Sequence, residues 1–177
     1  MHERESSPGA NSMIDLVFRN RTRERAFGPL FFKRVLSVAV LRSGLGRGRI
    51  EISITLLGPT QMRTMNKRYR GVDAPTDVLS FPLNAYRMSG LAGSETKRYN
   101  EIALGDIFIC PSFALKNARR DGFSPREALA WCTVHGFLHL AGYDHERSSR
   151  ARRSMDVLEE KILSALTYGS TSHHLRD

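Results

Sequence analysis

His135-Gly136-Phe137-Leu138-His139-Leu140-Ala141-Gly142-Tyr143-Asp144-His145 gathers three of the chain's six histidines into one short run. Just upstream, Ser124-Pro125-Arg126-Glu127 supplies an N-cap serine, a proline at the first helical position and a glutamate three residues after the cap. This pattern predicts a helix over 125 to about 141. His135 and His139, four apart, then project from one helix face. Gly142 is placed to adopt the left-handed conformation that ends a helix, turning the chain so that His145 approaches the same point.

Three converging neutral imidazoles suit zinc and leave a fourth tetrahedral position open, the pattern of catalytic rather than structural zinc sites. Zinc held this way lowers the pKa of a water to roughly 7, supplying hydroxide at neutral pH. The zinc peptidase pattern H-E-x-x-H needs a glutamate directly after the first histidine, and here that residue is Gly136. A peptidase would lack its base. Gly136 is read as leaving room beside the ion for a large substrate.

The helix has a regular setting on both sides. Met13 followed by Ile14-Asp15-Leu16-Val17-Phe18 reads as the first strand and the start of the folded part; Met13 is also a candidate start codon. Gly28-Pro29 opens a helix through Leu30, Phe31, Val35, Leu36 and Val38 to about Arg42. Ile50-Glu51-Ile52-Ser53-Ile54-Thr55-Leu56 alternates as a strand with one buried face. A helix from Thr60 to about Tyr69 is expected to carry Met62, Met65 and Tyr69 inward and to deliver Arg70 to a loop. Val78-Leu79-Ser80-Phe81 is a short strand closed by Pro82. Residues 84 to 104 read as a long mobile loop, of the kind that is functional or disordered, Gly105 to Cys110 as a strand, and Pro111 to Asp121 as a helix. Met155, Leu158, Ile162 and Ala165 mark the inner face of a final helix. The expected fold is α+β, a single domain with a small mixed sheet of about four strands packed with about five helices. Its bounds are 13 to 168, between a disordered N-terminal tail, 1 to 12, and a C-terminal tail, 169 to 177.

At 177 residues the chain suffices for one real core. Its 27 Lys+Arg against 18 Asp+Glu give a net charge of +9, which makes nucleic acid the first partner to consider. Cys110 and Cys132 form no C-x-x-C pair and read as reduced core residues. With no apolar stretch of membrane-spanning length, a cytoplasmic protein without membrane contact is expected.

The run from His135 to His145 resembles the H-G-x-L-H-L-x-G-Y-D-H signature of the YbeY family of metal-dependent endoribonucleases. Asn66, Tyr69-Arg70-Gly71 and Pro75-Thr76-Asp77-Val78-Leu79-Ser80-Phe81-Pro82 resemble that family's second block, and Leu104-Gly105-Asp106-Ile107 its third. The likeness spans roughly residues 13 to 166 in order. It implies a single-strand-specific endoribonuclease acting in small-subunit ribosomal RNA 3′-end maturation and in ribosome quality control. The implied partners are single-stranded RNA, ribosomal RNA and ribosomal particles. His135, His139 and His145 match the family's zinc ligands, one ion per chain, and Arg70 its functionally essential arginine. The resemblance also implies the family's mixed α+β fold, with the metal in a cleft beside the sheet. A longer loop carrying Lys97 and Arg98 and the extra tails depart from the pattern, bearing on substrate preference rather than on the metal.

Several roles stay open at this level. Asp77, Asp106 and Asp144 are candidates to orient a ligand imidazole, with turn and capping duties as the alternative. Tyr69, Phe81 and Tyr143 are packing residues or base-stacking platforms. No general base is assigned. A zinc peptidase, or a non-catalytic ribosome-assembly factor with structural zinc, are the rival readings.

Overall fold

The computed structural model describes residues 13–45, 48–83 and 101–166. In chain order these form β1 (Met13–Asn20), α1 (Pro29–Ser43), β2 (Arg49–Leu56), α2 (Pro59–Arg70), β3 (Val78–Pro82), β4 (Glu101–Ile109), α3 (Pro111–Asp121), α4 (Pro125–Leu140) and α5 (Ser149–Ala165). That is the expected α+β order, in one domain. Both expected tails, and 84–100 of the expected loop, lie outside the described residues. Residues 101 to 104, read as loop, belong to β4.

The four strands form one sheet in the order β1-β2-β4-β3. β1 and β4 run parallel to β2, and β3 pairs antiparallel with β4 at the edge. The parallel pairings need crossovers, which the helices supply. On one face the register aligns Ile14, Leu16 and Phe18 with Ile50, Ile52 and Ile54, and these with Ile102, Gly105 and Ile107. α1, α4 and α5 pack together, with α4 lying on β3 and β4. The result is a core that includes Phe32, Leu36, Leu129, Phe137, Leu138 and Ile162. On the other face α2 sets Met62 and Met65 against Leu79, Phe81 and Phe108. The strip over β1 and β2 carries Arg19, Ser53 and Thr55.

Strand β4 is bulged at Leu104, where the register steps from Glu51–Ala103 to Ile52–Gly105. An extra residue in one strand switches the parity of side chains along it. Ile102 and Leu104 are buried before the step, and Ile107 and Ile109 after it. Gly105 sits at the bulge with φ +138, and a Cβ there would come within 2.2 Å of the Phe81 carbonyl oxygen. Only glycine fits both constraints.

One expected side-chain placement differs. Tyr69, expected inside, is 55% exposed, its ring meeting Phe81 edge-on at 4.8 Å near the end of α2.

Candidate metal centre

Helix α4 begins with the reciprocal cap that its sequence encodes. The Glu127 amide donates to Ser124 Oγ at 3.3 Å, and the Ser124 amide donates to Glu127 Oε2 at 2.8 Å. From Leu129 to Leu140 it is buried on every face but the one carrying Trp131, His135 and His139, which are partly buried, and it is the central helix of the domain. The other end closes as a glycine cap: the Tyr143 amide donates to the Leu138 carbonyl and the Gly142 amide to the His139 carbonyl, both at 3.0 Å. Gly142 has φ 89, the left-handed geometry that this double closure needs. The chain therefore doubles back beside its own last turn.

That reversal brings His145 to the two helix histidines. Their ring centroids lie 4.7 Å (His135–His139), 5.4 Å (His135–His145) and 5.2 Å (His139–His145) apart. One ring nitrogen from each can be chosen so that all lie within 4.8 Å of one another, a group able to hold a cation. Nε2 of His139 and Nε2 of His135 face each other at 3.1 Å. Tetrahedral ligands at 2.0–2.1 Å from zinc stand about 3.3 Å apart, so this donor pair fits an ion with little adjustment.

Shielding favours the neutral form of the His139 imidazole. Burial, reinforced by His135 and His145, holds the His139 pKa down at about 4, so its ring is neutral at physiological pH. Neutrality is the state that ligates metal.

His135 is steered by residues that the sequence reading missed. Its Nδ1 lies 3.1 Å from Glu159 Oε1 of α5, and the Trp131 indole N–H donates to Glu159 Oε2 at 2.9 Å. Trp131 also stacks on the His135 ring, centroids 4.7 Å apart. An Nδ1–H donated to a carboxylate leaves the Nε2 lone pair directed at the other histidines. Both residues left a trace in the sequence. Trp131 precedes His135 by one helical turn, and Glu159 falls four after Met155 and three before Ile162, a carboxylate on the apolar stripe of α5.

The aspartates do other work. Asp144 Oδ1 accepts from the Glu146 amide at 2.9 Å, and Asp77 Oδ1 from the Val78 amide at 3.0 Å; both are turn residues. Asp106 points to the opposite face of the sheet, where it accepts from Ser53 Oγ. Orientation of the imidazole falls to Glu159. Phe81 packs edge-on against Phe108 at 5.7 Å as well as Tyr69, and Tyr143 packs half-buried against the core. Arg70, the last residue of α2, donates to Glu146 Oε1 at 3.1 Å, and Glu146 directly follows His145 in the chain.

Gly136 corrects a further expectation. It faces the sheet rather than the cation site, and a Cβ there would lie 2.8 Å from Cγ2 of Ile107. It makes room for β4, not for substrate, and the same contact leaves no space for the glutamate of a peptidase.

Helix-backed mixed sheet and three-histidine cluster together define an α+β protein with a histidine group able to hold a cation at the end of its central helix. Residues 22–167 match the sequence model of the family described as Endoribonuclease YbeY, and the chain belongs to that family. It is 39% identical to the Endoribonuclease YbeY of Moorella thermoacetica over 137 residues, 75% of this chain and 83% of the relative. The corresponding protein of Persephonella marina is 39% identical over 150 residues, 85% of this chain and 91% of that one. The solution structure of TM1509 from Thermotoga maritima shares the fold, with TM-score 0.56 and 24% identity over 85% of this chain and 87% of its own. Among the described residues no helix is long and apolar enough to cross a membrane.

Proposed function

We propose that the chain is a zinc-dependent endoribonuclease that cuts single-stranded RNA, with His135, His139 and His145 holding one ion and Arg70 binding the phosphate to be cleaved. The observation that carries this reading is the group of three ring nitrogens within 4.8 Å of one another, in a chain of the endoribonuclease family. When bound, the ion supplies Lewis-acid charge where negative charge develops on the phosphoryl group.

The chain's own residues set the remaining conditions. Glu159 fixes the His135 tautomer, and burial keeps His139 free of a competing proton. Arg70 presents a planar guanidinium that suits a phosphate bidentately, which lysine cannot do. Its pair with Glu146 is 54% and 64% exposed, and such surface pairs contribute about 0–1 kcal/mol. A phosphate can therefore displace Glu146 at small cost. The net charge of +9 favours the approach of a polyanion. The biological setting we propose is cytoplasmic: 3′-end maturation of small-subunit ribosomal RNA and ribosome quality control, on ribosomal particles.

Incubating purified protein with single-stranded and duplex RNA tests the reading, with zinc, with a chelator, and as His135→Ala. Cleavage of the single strand alone, abolished by the chelator and by the substitution, is the expected result. Intact RNA with zinc-loaded wild-type protein overturns it.

A further inference from the structure

The third block of the sequence, around Asp106, plays no part in the histidine site, yet it forms the floor of a second concavity. Between α2 and the strip over β1 and β2 lies a cleft of about 470 Å³, lined by Arg19, Arg21, Thr55, Met65, Asp106 and Phe108 among others. That volume falls within the roughly 300–1,000 Å³ usual for small-molecule sites.

Its chemistry is specific. Thr55 is 5% exposed, and among the described residues its hydroxyl has no hydrogen-bond partner. Buried hydroxyls are ordinarily paired, and leaving one unmade costs about 1–3 kcal/mol. An occupant of the cleft would complete it. Arg19 and Arg21 are exposed at the wall, and among the described residues neither guanidinium has an ion-pair partner. Phe108 and Met65 give an apolar surface beside them, and the Asp106 carboxylate, held by Ser53, is an acceptor at the floor. Two cations for a phosphate, an aromatic ring for a base and a fixed carboxylate for a ring or exocyclic N–H together describe a nucleotide.

We propose that this cleft is a nucleotide-binding site that holds one nucleotide of the RNA strand apart from the histidine cluster. The identity of the ligand as RNA rests on the function proposed above; the nucleotide chemistry of the cleft stands on its own residues. The cleft lies along the first half of α2 and Arg70 at its end, so nine residues of helix, about 13 Å, separate Gln61 from Arg70. A strand gripped at both places would be fixed in register across the sheet edge.

The test uses the full chain, stripped of metal so that RNA stays intact. A five-nucleotide single-stranded oligoribonucleotide, a nucleoside monophosphate and inorganic phosphate are each titrated, with amide chemical shifts read by NMR. The oligonucleotide and the monophosphate are expected to shift Thr55 and Phe108, and phosphate alone to do so far more weakly. Arg19→Glu with Arg21→Glu should weaken oligonucleotide binding at least ~10-fold, and the uncharged change Thr55→Val about 3-fold or more. Lys33→Glu with Arg34→Glu, on α1, should leave it within about 2-fold. Unchanged affinity in the cleft variants overturns the proposal, as does equal response to phosphate alone or an equal loss in the α1 control. RNA cleavage that persists alongside such unchanged affinity removes this site and spares the nuclease reading. Nucleotide binding that the cleft variants abolish, in a chain that never cuts RNA, does the reverse.

Discussion

Replacing Glu159 by glutamine isolates what the carboxylate contributes to the histidine site. Glu159 accepts two hydrogen bonds, from the Trp131 indole and from His135 Nδ1, and its side chain is only 16% exposed. An indole can only donate, so the glutamine carbonyl must either serve Trp131 and turn its NH₂ toward His135, or serve His135 and leave Trp131 facing an NH₂. The first choice forces the His135 proton onto Nε2, the atom that stands 3.1 Å from His139, and removes the lone pair a cation needs. The second leaves a donor unpaired at a cost of about 1–3 kcal/mol. Losing such a supporting partner typically weakens a metal site 10–100-fold, about 1.4–2.8 kcal/mol. Zinc affinity measured by competition against a chromophoric chelator should fall by that factor. Glu159→Asp, with a shorter reach, should fall at an intermediate position. An affinity for Glu159→Gln within 2-fold of wild type would show that the carboxylate does not set the imidazole's state.

Three further outcomes are expected. Gly105→Ala brings a Cβ to 2.2 Å from a backbone oxygen at φ +138 and should cost about 3 kcal/mol or more. Differential scanning calorimetry should show Tm lower by about 6–12 °C, and an unchanged Tm would refute the bulge geometry. Because the folded-state pKa of His139 is about 4 against 6.5, the unfolded chain takes up its proton first as pH falls. The metal-free protein should therefore lose stability between pH 6.5 and 4, with no further loss from this group below 4 and none above 6.5. Urea midpoints should slope less steeply with pH in His139→Gln, and an equal slope would contradict the assignment. Arg70→Lys should bind zinc as wild type does but cut RNA at least ~10-fold more slowly, since an ammonium cannot hold phosphate bidentately; full activity would remove Arg70 from the mechanism.

How far the residues alone reach is clearest in α4. Its cap, its length, its terminal glycine and the gathering of His135, His139 and His145 all rest on local rules, and the structure has each of them. Element order was equally local. What escaped was whatever depends on register between distant segments. The bulge at Leu104 shifts the parity of β4, so Glu101 to Leu104 gave no single alternating pattern and read as loop. Gly136 resembled an opening beside the ion until Ile107, from another element, was seen against it. Glu159 lies on α5, and its tie to His135 is a tertiary contact that only a charged residue on an apolar stripe hinted at. The aspartates of the three motif blocks were the natural candidates for that role, and chain turns or the opposite sheet face claimed them instead.

The three-histidine cluster is the premise on which everything else stands, and X-ray absorption at the zinc edge of stoichiometrically loaded protein probes it at the atoms concerned. The spectrum should show three imidazole nitrogens at about 2.0–2.1 Å, with one light-atom ligand besides, and this signature should vanish in His139→Ala. Sulfur scattering from Cys110 or Cys132, or a wild-type spectrum persisting in that variant, would place the ion elsewhere and contradict the account.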